Sequence, residues 1–216
     1  MEPLVKVPAI TGARLARYLD HLKCLEKRNV TVVSSRELAR DVGVSSFQVR
    51  KDLSYFGGFG RRGVGYDVSS LKRNLIKILG SAEPRPVVVI GAGYLGAAIC
   101  SCPELQKRGF YVVGIFEHNP FQITREFPGV ELLPMEKLAG VVKEYRVEVG
   151  VLTVPRTTLQ KDLELLKRSG ITKVLTFGWC SLGNSDDLEI VNVDLLNGLE
   201  MLFFKKKGCP RRQSLS

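Results

Sequence analysis

Residues 87–96 read VVVIGAGYLG, an apolar run of strand type that passes directly into Gly91, Gly93 and Gly96 at the spacing G-x-G-x-x-G. In such a turn the first glycine permits a sharp bend, and the second lets phosphates approach the backbone. The third lets the following helix pack closely on the strand. The N–H groups at the start of that helix favour negative charge. The stretch therefore predicts a dinucleotide-binding turn.

The residue type at the end of the next strand indicates which dinucleotide is bound. Glu117 lies 21 positions after Gly96, in GIFEHNP (114–120). A carboxylate there binds the adenine ribose hydroxyls and repels a 2′-phosphate, so NAD(H) is favoured over NADP(H). The predicted cofactor-binding residues are Gly91, Ala92, Gly93, Tyr94, Leu95, Gly96, Glu117, Asn119, Val154 and Pro155. The sequence leaves open the alternative that the turn is empty.

The chain around this motif alternates between two hydrophobic patterns. Nearly continuous apolar runs, typical of strands buried on both faces of a parallel sheet, occupy 87–91, 110–117, 147–155, 173–179 and 188–194. Amphipathic helix candidates lie at 94–107, 135–145 and 156–168. The alternation predicts an open, doubly wound α/β fold with a Rossmann-like parallel sheet. GSAEPRP (80–86), with two prolines, is the expected linker.

Residues before this linker show a helical pattern with one glycine-rich interruption. Helices are expected over 10–28 and over 68–79, the second capped by Ser69 or Ser70. In the segment 34–56, two short helices are expected on either side of a tight turn. The residues that indicate this are Ser34 or Ser35 as the first cap, Glu37 at a capping-box position, Gly43 in the turn, and Ser45 or Ser46 as the second cap.

The second of these short helices has two unlike faces. Val49, Leu53 and Phe56 project to one side and are expected to be buried. The opposite side carries Gln, Lys, Arg and Ser with one aromatic residue, a set that can contact base edges in a DNA major groove. The helix then leads into GGFGRRGVGY (57–66), where glycines permit a thin hairpin that carries Arg61 and Arg62 to a minor groove.

A helix-turn-helix followed by a basic hairpin predicts a winged-helix domain that binds double-stranded DNA. The alternative is an ordinary solvated helix followed by a flexible glycine loop. The predicted DNA-binding residues are Ser35, Ser45, Ser46, Phe47, Gln48, Arg50, Lys51, Ser54, Arg61 and Arg62. The serine hydroxyls are expected to hold phosphates.

The distribution of charge agrees with a polyanion ligand for the first part of the chain alone. Residues 1–80 hold 15 Lys and Arg against 7 Asp and Glu, whereas residues 81–204 hold 12 against 15. No apolar run reaches the length of a membrane span. The five cysteines form no C-x-x-C pair and there are two histidines, so no metal site is expected, and the thiols suit a reducing cytoplasm.

An enzyme is not expected. An NAD-dependent oxidoreductase with an added basic domain would need an acid or base beside the nicotinamide, and neither His21 nor His118 is suitably placed for that role. The last helix candidate, 195–207, is too apolar for a surface helix, so it must pack on its own body or on another subunit.

Together these motifs resemble the Rex family of bacterial redox-sensing transcriptional repressors over nearly all of residues 4–204. The stretches that carry the resemblance are FQVRKDLSYFG (47–57), RRGVGY (61–66), GAGYLG (91–96), LTVPR (152–156) and VNVDLL (191–196). It implies a homodimer that exchanges its C-terminal helix, with Asp194 and Phe203 at the interface. It also implies that NADH closes the dimer and releases it from a palindromic operator, whereas NAD+ permits binding.

Several positions depart from the family pattern. Cys102 stands where a tyrosine is usual, Asp20 where some members have an arginine, Asn119 where aspartate is common, and TFGW (176–179) replaces N-F-A-P. An alternative is therefore a family member whose response to NADH is weakened or lost and whose Rossmann domain serves mainly dimerisation. The expected parts are a winged-helix domain (1–80), a Rossmann domain (81–193), a dimer-exchange helix (194–207) and a basic tail (208–216).

Overall fold

The computed structural model describes residues 7–61, 63–81, 83–177 and 188–204. Arg62, residues 178–179 and the basic tail, all named above, lie outside these ranges. The chain divides into two compact units, Met1–Pro84 and Arg85–Ser216. Each has its own hydrophobic core.

The first unit is mainly helical with a small antiparallel sheet. Its elements are α1 (Ala9–Lys27), β1 (Val32–Val33), α2 (Ser35–Val42), α3 (Ser46–Ser54), β2 (Gly60–Arg61), β3 (Gly65–Asp67) and α4 (Val68–Ile78). The sheet order is β1-β3-β2. Apolar residues at helical spacing supply the core, among them Leu15, Tyr18, Leu22, Leu38, Val49, Leu53, Leu71 and Leu75. This is a helix-turn-helix followed by a wing.

Local capping explains where the short helices begin and end. Ser34 and Glu37 form a reciprocal capping box at the start of α2, which confirms the prediction. Gly43 ends α2 with φ 73°, in the left-handed region that glycine tolerates. The prediction that Ser69 or Ser70 caps α4 is wrong. The helix begins at Val68, and its N-cap is Asp67, whose side chain accepts a hydrogen bond from the Ser70 backbone N–H.

The second unit is a six-stranded parallel sheet with helices on both faces. Its elements are β4 (Arg85–Ile90), α5 (Tyr94–Cys100), α6 (Pro103–Lys107), β5 (Phe110–Glu117), β6 (Leu132–Pro134), α7 (Leu138–Tyr145), β7 (Val149–Leu152), α8 (Arg156–Ser169), β8 (Lys173–Thr176), β9 (Glu189–Asn192) and α9 (Leu195–Phe203). The strand order β6-β5-β4-β7-β8-β9 is that of a Rossmann fold and confirms the predicted α/β class.

Alternation along β4 directs its side chains to two separate cores. Val88 and Ile90 pack with residues of α7 and α8, whereas Val89 packs with residues of α5 on the opposite face. At the carboxyl end of the strand, Ile90 lies in register with Phe116 of β5 and Leu152 of β7. The ends of these three strands therefore meet at one edge of the sheet.

Several elements differ from the sequence-based expectation. The helix expected over 94–107 is two helices, because Pro103 begins α6 and cannot continue α5. β4 begins at Arg85, inside the expected linker. The edge strand β6 was missed, since three residues are too few to show a hydrophobic period. Among the residues described, no helix is long and apolar enough to cross a membrane.

Candidate functional site

Helix α3 presents the two faces that its sequence predicts. Val49 and Leu53 are buried and Phe56 packs partly against the same core. On the other side Phe47 is 66% exposed, and Lys51 is exposed as well. An apolar ring left in solvent beside a cation suits contact with base edges and with the methyl group of thymine.

The side chain of Gln48 is not freely solvated. Its side chain is half-buried, and Nε2 donates a 2.8 Å hydrogen bond to Oδ1 of Asp52, one helical turn later. Asp52 is fully buried and also receives bonds from Arg14 and Tyr18 of α1. Asp52 was not among the predicted residues, because partners 34 and 38 residues away leave no local pattern in the sequence.

Several predicted phosphate-binding hydroxyls already have partners inside the protein. Ser45 caps α3 by accepting a bond from the Gln48 backbone N–H. Ser54 donates its hydroxyl to the Lys51 carbonyl, and Arg50 donates to the Ser35 hydroxyl at 3.1 Å. The last bond ties α3 to the start of α2. The bond to Ser45 confirms it as the cap of α3. Phosphate contact by Ser35, Ser45 and Ser54 stays a prediction, since an oxygen that accepts one bond can accept another.

The wing depends on glycine at close backbone approaches. Gly65 has φ +113°, and a Cβ there would lie 2.6 Å from the carbonyl oxygen of Val33. Arg61 is exposed on β2, next to the hairpin turn. Between the wing and helices α2 and α3 lies a groove of about 750 Å³, whose lining includes Ser35, Ser46, Arg50, Ser54, Arg61 and Arg36. Arg36 was not among the predicted residues, and it adds a cation to this surface.

The glycine turn after β4 has the geometry that its motif requires. Gly91 has φ +101°, and the Thr153 hydroxyl lies 2.9 Å from the Gly91 carbonyl oxygen. A Cβ on Gly96 would collide with that same oxygen. A Cβ on Gly93 would meet no described residue within 4 Å, so the described part of the chain leaves space beside this glycine. The N-cap residue of α5 is Gly93, which has no side chain to bond the first N–H groups of the helix, and an anion can bind these groups.

Glu117 lies directly beside this turn. Its Oε2 accepts a 3.0 Å bond from the Ala92 N–H, and Oε1 accepts one from the His118 N–H. Tyr94 is 86% exposed, and the guanidinium of Arg125 lies 4.0 Å from the centre of its ring. Arg125 was also missed, because it lies in the loop after β5, whose path the sequence did not indicate. The residues present fit a dinucleotide with a free ribose and a diphosphate.

The other predicted cofactor residues lie at the same edge of the sheet. Leu95 is partly exposed in the first turn of α5, and Asn119 is exposed just after β5. Val154 packs partly against the core, and Pro155 is the N-cap of α8. Ala92 is buried in the turn. Their contact with a cofactor stays a prediction.

His118, which follows β5, contacts helix α8 at the same edge of the sheet. Its Nε2 lies 2.7 Å from Oδ1 of Asp162, which is fully buried on α8. The second oxygen of Asp162 has no hydrogen-bond partner among the described residues. In the described ranges, no three His, Cys, Asp or Glu side chains are grouped so that they could hold a metal ion.

Helix α9 has no fully buried residue in the described part of the chain. Asp194 caps it by accepting bonds from the N–H groups of Leu196 and Asn197. Phe203 and Leu202 are each 82% exposed, and none of the helix residues is buried. Of the two possibilities left by the sequence, the described residues therefore do not provide the packing of this helix on its own body.

Comparisons with known proteins cover both units of the chain. A family model described as "Putative DNA-binding protein N-terminus" matches residues 6–54, and one described as "CoA binding domain" matches residues 82–178. A redox-sensing transcriptional repressor Rex from Desulforamulus reducens is 44% identical over 93% of this chain and 95% of its own.

Solved structures of a protein called RSP are similar over both units. Its complex with NAD+ and operator DNA has a TM-score of 0.83 and 36% identity, covering 92% of each chain. Its complex with NADH has a TM-score of 0.80 and 34% identity, covering 92% of this chain and 93% of RSP. On its sequence identity and coverage, this chain belongs to the Rex family of redox-sensing transcriptional repressors.

Proposed function

We propose that this protein is a transcriptional repressor that binds operator DNA and is released when NADH binds. The observation that carries the proposal is the pairing, in one chain, of an exposed helix-turn-helix with wing and an open dinucleotide turn. RSP, which has the same fold, was crystallised with NAD+ and operator DNA and, separately, with NADH. The relatives are named as repressors and not as enzymes.

The first unit supplies the DNA contacts in this proposal. Phe47, Arg50 and Lys51 project from α3 into the major groove, and Arg61 and Arg62 of the wing enter the minor groove. Ser35, Ser45, Ser46 and Ser54 lie near the phosphates. The excess of Lys and Arg in residues 1–80 attracts the DNA irrespective of its sequence, so operator affinity should fall steeply as salt is added.

The second unit supplies the redox response. The backbone from Gly91 to Gly96 would hold the diphosphate, and Glu117 would hold the adenine ribose. NADH can shift the protein away from DNA only if it binds the DNA-free state more tightly than the DNA-bound state. The redox response therefore requires that NADH binds the DNA-free state more tightly than the DNA-bound state, and that NAD+ binds both states with similar affinity.

We further propose that the active form is a homodimer with α9, including Phe203, at its interface and Asp194 close to it. The proposed location is the cytoplasm, where bacterial DNA and NAD(H) occur together. The division into a winged-helix part (1–80), a Rossmann part (81–193), an exchanged helix (194–207) and a tail (208–216) belongs to the same proposal.

A titration of fluorescently labelled operator tests the sensing function. Preformed complex is titrated with NADH and, separately, with NAD+. We expect NADH to weaken operator binding by at least about fivefold, the lower end of common coupling energies, and NAD+ to weaken it much less. An equal response to both forms would contradict redox sensing.

Gly93→Ala is the matched control for this titration. Gly93 has φ −74°, and a Cβ there meets nothing within 4 Å, so the variant should fold and bind operator normally. The added methyl group occupies the space that a diphosphate needs, so NADH should no longer release the DNA. If the variant is still released at wild-type NADH concentrations, the cofactor does not lie against this turn.

A further inference from the structure

Asp52 is a buried charge in the middle of the helix that faces DNA. Its carboxylate is fully buried. Arg14 donates two hydrogen bonds to it, from Nε to Oδ2 at 2.6 Å and from Nη2 to Oδ1 at 2.7 Å. The Tyr18 hydroxyl donates a third bond at 2.9 Å. A two-pronged guanidinium contact is among the strongest hydrogen-bonded arrangements in proteins and fixes the plane of the carboxylate.

The carboxyl group of Asp52 is ionised at neutral pH. Burial would raise its pKa, but the hydrogen bonds from Arg14, Gln48 and Tyr18 outweigh that effect and hold the pKa below its ordinary value. The pKa of Arg14 is raised by the same contact. An ionised carboxylate has no proton to donate, so it can only accept hydrogen bonds.

This property decides which way the amide of Gln48 points. The amide nitrogen, and not the oxygen, must face Asp52, and the Nε2···Oδ1 distance is 2.8 Å. One N–H and the oxygen Oε1 then make no hydrogen bond with the described residues. Gln48 is the third residue of α3, and the N-terminal residues of a recognition helix are those that usually reach base edges.

We propose that Gln48 reads an adenine in the operator, and that Asp52, held by Arg14 and Tyr18, is the positioning residue that orients its amide. Oε1 accepts a bond from the adenine N6 amino group, and the remaining N–H donates to N7. The proposal rests on the proposed DNA-binding function and specifies one base pair of its readout. Asp52 touches no base; it acts through Gln48.

The test is a base-preference profile. The full-length protein is titrated, at fixed salt, with operators that carry each of the four base pairs in turn at every position of a half-site. We expect one position where adenine is preferred by about tenfold, and we expect Gln48→Ala to lose the preference at that position only. An unchanged profile in Gln48→Ala would overturn the reading role. A wild-type protein that binds none of these operators would instead contradict the proposed DNA-binding function, whatever the role of Gln48.

Asp52→Asn tests the positioning role. Asparagine can offer either an oxygen or an amino group to Gln48, so the orientation is no longer imposed, and the preference at the same position should fall to about the Gln48→Ala level. A residue with only a structural role would weaken binding to all operators by one common factor, and that result, or full retention of the preference, would overturn the assignment.

Arg14→Lys and Lys51→Ala complete the set. If Asp52→Asn loses its cooperative melting, Arg14→Lys answers the same question, because lysine keeps the charge but gives up the two-pronged grip. Its preference at the Gln48 position should fall severalfold, and an unchanged preference would overturn the positioning role. Lys51→Ala is the control. It should lower the affinity for all operators or change the base preference at another position, and it should leave the preference at the Gln48 position unchanged.

Discussion

At the scale of single residues, His118 and Asp162 are an unusual pair, because one member is half-exposed and the other is fully buried. They join the end of β5 to α8 with one 2.7 Å contact. Replacing His118 by leucine would leave a buried carboxylate without that contact, and we expect the free energy of unfolding to fall by about 3 kcal/mol. Urea unfolding followed by circular dichroism measures the change.

The double variant His118→Leu/Asp162→Leu separates the pair from its surroundings. Removing both partners leaves no unpaired charge, so most of the lost stability should return. The cycle of two single variants and the double variant gives the interaction energy directly. Simple additivity of the two single losses would show that the contact contributes nothing.

Asp52 should also govern part of the stability in acid. Because its pKa is lower in the folded chain than its ordinary value, it contributes stability above the unfolded pKa of about 3.9 and loses it as the pH falls through the folded pKa. We expect Asp52→Asn to be about 3 kcal/mol less stable than wild type at neutral pH. That gap should narrow as the pH falls below about 4. Urea unfolding at each pH measures the free energy of unfolding of both proteins. A difference between them that is the same at every pH would contradict this linkage.

At the scale of elements, the shape of the wing depends on a glycine at position 65. Gly65→Ala combines φ +113° with a Cβ 2.6 Å from the Val33 carbonyl oxygen, a backbone atom that cannot move aside without disturbing the β1–β3 pairing. We expect a loss of about 2 kcal/mol in thermal unfolding and weaker operator binding. Gly58→Ala is the control, since a Cβ there meets nothing within 4 Å. Equal behaviour of the two variants would contradict this account.

The elements that the sequence predicted are those specified by local chemistry. Nearly continuous apolar runs located five of the six strands of the parallel sheet, and the Ser34–Glu37 capping box located the start of α2. The features that were missed are short or depend on distant partners. Arg14 and Asp52 are 38 positions apart, and His118 and Asp162 are 44 apart, so their meeting is a property of the assembled fold.

At the scale of the whole molecule, each compact unit has a core of its own, and the described part of α9 belongs to neither. Its exposed apolar residues are Leu195, Leu199, Met201, Leu202 and Phe203, and they are joined by Val191, Val193 and Phe204 outside the helix. Fully burying one such side chain stabilises by roughly 1.5–3 kcal/mol. A second copy of the chain is the partner that the proposed function requires.

Leu202→Glu combined with Phe203→Glu tests this arrangement. Both side chains are 82% exposed in the single chain, so the substitutions should leave the fold of each unit unchanged. Two carboxylates in an apolar interface would be desolvated without partners, and we expect the dimer to dissociate at micromolar concentration. Sedimentation velocity measures the mass, and the same samples should bind operator more weakly, because a monomer contacts one half-site instead of two. Glu200→Gln, on the same helix, is the control and should remain dimeric. A wild-type protein that sediments as a monomer, or a double variant that stays dimeric, would contradict the role assigned to α9.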